Sequence, residues 1–132
     1  MQQIQSYWEQ EIGYRRVVKR GNHICVSGTT ASDENGKATA PTAAGQTEHI
    51  LEKMGDILAR VGAAMHDVIR VRMYVTDIST WQEVGSVFKT YFGNVQPAAT
   101  MVEVQRLIDP SLLIEIEVDA IVESAGDDPS SI

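Results

Sequence analysis

Glu115 and Glu117 are the residues whose spacing most directly suggests chemistry. They stand two apart in the run Leu112 to Val122, so in a strand both carboxyls project from one face. Burial beside a like charge raises a carboxyl's pKa and suits it to accept and return a proton near neutrality. The same placement also fits ion pairs with Arg70 or Arg72, and the residues alone leave both readings open. His23, His49 and His66 fall in three different predicted elements beside a single cysteine, so no zinc-ligand spacing exists and no metal is expected. His49 and Glu52, three apart on a helix, read as an exposed pair. Cys25 reads as a small buried hydrophobe in a strand rather than a reactive thiol. There is no G-x-S-x-G, no P-loop and no G-x-G-x-x-G. Covalent serine chemistry, nucleotide hydrolysis and dinucleotide binding therefore lack their sequence signals, and no cofactor is expected.

Positioning the two carboxyls requires a sheet. Tyr14 to Val18 and Asn22 to Ser27 are β-rich runs connected through Lys19-Arg20-Gly21, which reads as a hairpin. Gly28 through Pro41 has loop composition, with room for a short edge strand. From Ala43 to Val61, the residues Ile50, Leu51, Met54, Ile57, Leu58 and Val61 form one helical stripe, and Gly62 supplies the stop. Glu48, Lys53, Asp56 and Arg60 fall on the face expected to be solvated. Val68 to Val75 alternates as a strand, with Val71, Met73 and Val75 on one side and Arg70, Arg72 and Tyr74 on the other. Asp77 or Ser79 caps a second helix carrying Trp81, Val84, Val87, Phe88 and Tyr91 and ending at Gly93.

Two final strands, Ala99 to Arg106 and Leu112 to Val122, are separated by an Asp109-Pro110 turn. Alternation assigns Val102 and Val104 to the helix side, and Ala99, Met101, Glu103 and Gln105 to the other. In the last strand Ile114, Ile116 and Val118 oppose Leu113, Glu115, Glu117 and Asp119. The order β-β-α-β-α-β-β is an α+β single domain with two helices on one face of a mixed sheet. Glu123 to Ile132 reads as a frayed tail.

A length of 132 residues suits one domain. Eleven Lys and Arg against 18 Asp and Glu give a net charge of −7, the wrong sign for a dedicated nucleic-acid binder. No apolar run approaches the roughly 18 residues that read as a membrane span. The N-terminus has neither a basic nor an apolar leader region, and one cysteine cannot close an intrachain disulfide, so a reducing cytoplasm is expected. The helix-free sheet face mixes carboxylates, Arg72 and Tyr74 with Met101 and Leu113. That is too apolar for plain solvent surface and too charged for a dry core, so self-association with clefts between subunits is expected.

Taken in order, Val26-Ser27-Gly28, Gln46, the run from Asp67 to Asp77, Pro97-Ala98, Val102-Glu103-Val104 and Ile114-Glu115-Ile116-Glu117 resemble the Rid family. These are the reactive intermediate deaminases of YjgF type, also called the L-PSP endoribonuclease family, and the resemblance covers about residues 12–122. It implies a chorismate-mutase-like fold and a homotrimer whose sheets form a barrel, with small-molecule sites at the three interfaces. In those proteins water attacks an enamine or imine, releasing ammonia and a 2-keto acid. An arginine directly after Pro-Ala clamps the substrate carboxylate, and the first glutamate of the last-strand motif positions the water.

The glutamate is retained here as Glu115, but the arginine's position is Ala99, and Gly85 stands where such members carry asparagine on the second helix. The chain thus resembles the arginine-lacking subgroup. A bidentate guanidinium has no substitute in alanine, and losing a buried charge-assisted bond costs on the order of 2–5 kcal/mol. Expected pocket residues are Ser27, Gly28 and Ala99 through their backbone, with Tyr14, Met101 and Glu103 around them; Trp8 could add to the lining. Arg72 is a candidate relocated clamp, with a salt bridge to Glu103, Glu115 or Glu117 as the alternative. Two functions stay open, a hydrolytic deaminase of small imines or enamines and a non-catalytic metabolite-binding trimer. Endoribonuclease activity ranks third, because three copies would carry a formal −21, three times the −7 of one chain, which repels RNA phosphates.

Overall fold

The computed structural model describes residues 7–123. A short helix α1 (Tyr7–Ile12) leads into β1 (Val17–Arg20) and β2 (His23–Thr30), followed by α2 (Ala43–Ala59), β3 (Val68–Val75), α3 (Trp81–Phe92), β4 (Ala98–Glu103) and β5 (Ile114–Ile121). The α+β arrangement expected from the sequence is present, with α1 and two single-turn 3₁₀ segments added. The sheet order is β1-β2-β5-β3-β4, antiparallel except for the parallel pair β3–β4. The expected tail lies outside the described residues, apart from Glu123. Among the described residues no helix is long and apolar enough to cross a membrane.

The hairpin turn falls at Gly21-Asn22, because Arg20 already pairs with His23. Gly21 has φ +57°, the positive φ that a two-residue hairpin loop needs at its first position to match the strand twist. On α2 the predicted stripe is the core. Ile50, Leu51, Met54, Ile57 and Leu58 are buried in one core with the inner residues of the sheet, α2 lying against β2 and β5. Thr42 starts this helix by accepting a hydrogen bond from the Gly45 N–H. Gly62, at φ +81°, ends it, with the Gly62 and Ala63 N–H groups donating to the carbonyls of Ala59 and Leu58 at 3.2 and 3.0 Å. That pattern is a Schellman stop. Because a Cβ at Gly62 would meet only Lys19 Nζ, at 4.0 Å, Gly62→Ala should cost only the conformational penalty, about 1–2 kcal/mol, readable as a lower urea midpoint.

Three expectations on faces are corrected. Lys53 is half-buried, not solvated, because its ammonium is drawn to the end of β2, as described below. Trp81 is 55% exposed at the start of α3, whereas Phe92 at the other end is fully buried beside Phe88. The parity of β4 is inverted. Its parallel register sets Ala99 beside Val71, Met101 beside Met73 and Glu103 beside Val75, and paired residues share a face. Ala99, Met101 and Glu103 therefore lie on the helix side, and Ala98, Thr100 and Val102 lie on the side of Arg70, Arg72 and Tyr74.

Candidate active site

Glu115 follows Ile114 at the start of β5, opposite Thr30 of β2 and Tyr74 of β3. Strand β2 carries a bulge between Val26 and Thr29, which puts Ser27 and Gly28 out of register beside it. Bulges of this kind re-aim side chains, and a glycine inside a strand is their sequence signal. The Glu115 carboxylate lies directly on Gly28. A Cβ built on residue 28 would sit 2.0 Å from Glu115 Oε2 and 2.9 Å from its Cδ. Any larger residue there would push the carboxylate aside.

The bulge is held by Arg16, the residue just before β1. Its Nη1 donates to the Gly28 carbonyl at 2.6 Å and to Thr29 Oγ1 at 3.2 Å, with a longer contact of 3.4 Å to the Ser27 carbonyl. Its Nη2 reaches the Tyr14 hydroxyl at 3.5 Å, and the guanidinium lies 5.8 Å from the Tyr14 ring centroid. The buried Glu9 of α1 fixes the Arg16 backbone by accepting from its N–H at 3.1 Å. Ser27 Oγ donates to the Arg15 carbonyl at 2.7 Å. The serine thus shapes the bulge rather than lining a pocket.

Strand β1 pairs with β2 only as far as Val26. Past that point a cleft of ≈ 770 Å³ opens, bounded by Trp8, Tyr14, Arg16, Gly28, Lys53 and Glu115, with Arg106, Leu107 and Leu112 from the β4–β5 connection. That connection is anchored by Gln46, which is fully buried on α2. Its Nε2 donates to the carbonyls of Ala40 and Ser111 at 2.9 and 3.0 Å, and its Oε1 accepts from the Leu113 N–H at 2.8 Å. On the same connection Asp109 accepts from the Ser111 N–H and hydroxyl and from Lys37, which holds its carboxyl down at about 2.

Burial is the main cause that raises the Glu115 pKa above the ordinary glutamate value; Arg16 opposes the shift and Glu117 adds to it. Burial, followed by Arg16, lowers that of Lys53. The second glutamate has a different job. Glu117 accepts from the Tyr74 hydroxyl at 2.6 Å and pairs with Arg72 at 3.5 Å, and Arg72 also reaches Asp119 at 3.7 Å.

Of the expected site residues, the structure brings Glu115, Gly28 and Tyr14 together in the cleft, with Trp8. Arg72 is not in the lining; it is engaged in the ion pairs of the helix-free face, the alternative reading for this residue. Glu103 accepts from the Ile78 N–H at 2.9 Å and so caps the turn before α3. Met101 packs on the core, and Ala99 is exposed on β4, the edge strand farthest from β1. Gly85 likewise lies outside the lining, with open space around it. Cys25 is exposed rather than buried. It faces Asp119 across the β2–β5 pair, and partial burial, then that carboxylate, push the thiol up. His49 pairs with Thr39 rather than Glu52. Sequence reasoning missed Arg16 and Lys53. The one available signal for Lys53 was its place four residues before Ile57, on the border of the buried stripe.

The chain belongs to the family described as endoribonuclease L-PSP, which matches residues 6–122. A RutC family protein of Pyrococcus abyssi is 35% identical over 111 residues, 83% of this chain and 87% of its own length. The 3-aminoacrylate deaminase RutC of Acinetobacter baylyi is 34% identical over 104 residues, 78% of this chain and 82% of its own. The crystal structure of a YjgF/YER057c/UK114 family member from Mycobacterium tuberculosis superposes with a TM-score of 0.81 at 44% identity, covering 89% of this chain and 93% of that one.

Proposed function

We propose that this chain is a hydrolytic deaminase of small imine or enamine metabolites, with Glu115 handling the proton. The observation that carries the reading is the Glu115 carboxylate itself, half-buried on Gly28 inside a cleft, with its proton affinity raised mainly by burial. Such a group takes a proton from water as the oxygen adds to the C=N carbon. It returns that proton to nitrogen to give the neutral carbinolamine, then takes the proton of the new hydroxyl and passes it to the amine, so that the C=O forms, the C–N bond breaks and ammonia leaves. An enamine first takes a proton on carbon and then follows the same course. Family membership and the RutC deaminase relative support this chemistry.

The reading includes assembly into a trimer. Strand β4 has one unpaired edge and exposes Val102, and open edges invite pairing with another chain. Ala99 lies at that far edge of the sheet. It therefore contributes to a Glu115 cleft only as part of a second copy. Since Arg72 is engaged with Glu117 and Asp119 on the helix-free face, Arg72→Ala should weaken assembly in sedimentation equilibrium and, at concentrations where the trimer persists, leave ligand affinity in the cleft unchanged. Lost affinity with assembly intact would return Arg72 to the site.

The test of function is ammonia release across freshly generated cyclic and acyclic imines and enamines. Release from at least one of them that falls steeply in Glu115→Gln is expected. No release from any of them, with ligands still bound, would favour the non-catalytic binding trimer.

A further inference from the structure

The cleft is cationic in an acidic protein. Among the described residues its lining holds Arg16, Lys53 and Arg106 against one carboxylate, that of Glu115, whereas the whole chain carries −7. Lys53 is the most informative of the three. Half-buried on α2, it donates to the carbonyls of Thr30 at 2.8 Å and Ser32 at 3.2 Å. An ammonium has three N–H donors, so one remains for a ligand. Among the described residues no carboxylate lies within salt-bridge distance of Lys53. Its electrostatic neighbour is another cation, Arg16, which also acts on Glu115. Two cations thus line one partly buried cleft, and one of them is bonded only to neutral carbonyls, an arrangement that an anion would complete.

We propose that Lys53, with Arg16 beside it, holds the carboxylate of a small anionic substrate, a role that Ala99 cannot perform. The anchor thus comes from α2 of the subunit that supplies Glu115, rather than from β4. The hydrophobic side of the cleft, with Trp8, Ile57, Leu107 and Leu112, fits a substrate whose remaining part is aliphatic or aromatic. The inference rests on the deaminase reading for the reaction, but its binding component stands apart from it.

The probes are 3-phenylpropanoate and its uncharged amide, titrated calorimetrically into the full chain and into Lys53→Met and Lys53→Arg. Wild type should prefer the carboxylate, Lys53→Met should lose about 10- to 100-fold of that preference with affinity for the amide kept, and Lys53→Arg should recover part of it. Equal binding of the two probes by wild type overturns the proposal whether or not the variants fold, and so does a preference that survives in folded Lys53→Met. In the ammonia assay Lys53→Met should raise KM more than it lowers kcat. Ammonia release that needs Glu115 but is indifferent to Lys53 would sink this inference and leave the deaminase reading standing. Carboxylate preference lost in Lys53→Met, with no ammonia from any imine, would do the reverse.

Discussion

Replacing Glu115 with glutamine is expected to lower ammonia release about 10²- to 10⁴-fold, the usual worth of a positioned proton carrier, while the protein stays at least as stable as wild type at neutral pH. The sign follows from the environment. Burial, reinforced by Glu117 and only partly offset by Arg16, raises the folded pKa of Glu115 above its unfolded value. Stability from such a group is fully present below the ordinary glutamate range and is lost as pH rises through the raised value. Once ionised, the carboxylate therefore weakens the fold, and glutamine removes that penalty. Urea denaturation at pH 7 should place Glu115→Gln level with or above wild type, and the two should converge toward pH 4. A residue kept only for packing would lose stability and activity together.

Gln46→Leu should have the opposite profile, a large loss of stability from a change at a residue outside the cleft lining. The glutamine side chain is fully buried and satisfies three backbone groups, the carbonyls of Ala40 and Ser111 and the N–H of Leu113. Leucine is close in size but removes the partner of all three part-buried groups, at about 3 kcal/mol in total, readable from the denaturant midpoint. Leu112, between two of those groups, bounds the cleft, and Glu115 follows two residues after Leu113. Ligand affinity should therefore fall with stability. Unchanged affinity at reduced stability would separate the α2 anchor from the site.

The helices and most of the sheet were legible because one-sided burial writes a period into the chain. The α2 stripe and the alternation of Val71, Met73 and Val75 both survive in the structure. The inverted parity of β4 has a physical origin. A strand exposed along nearly all its length carries little hydrophobic contrast, so its faces are set by the parallel register with β3, which no local pattern contains. Cys25 was misjudged for a related reason. It alternates correctly with Ile24 and Val26, yet its residue type outweighed its parity. Glu115 was legible from its spacing with Glu117 and from the family motif. Arg16 and Lys53 were not, because a bulge in β2 and the fold of α2 over its end bring together residues 37 positions apart in the chain.

The most direct test of the central claim is the pH profile of kcat/KM for ammonia release by the wild-type protein and by Glu115→Gln. If the ionised Glu115 draws the proton from water, the wild-type profile falls on the acid side with a midpoint above the ordinary glutamate range, and that limb is absent from the residual activity of Glu115→Gln. A wild-type profile that is flat through this region, or an acid limb retained unchanged in Glu115→Gln, would contradict the account.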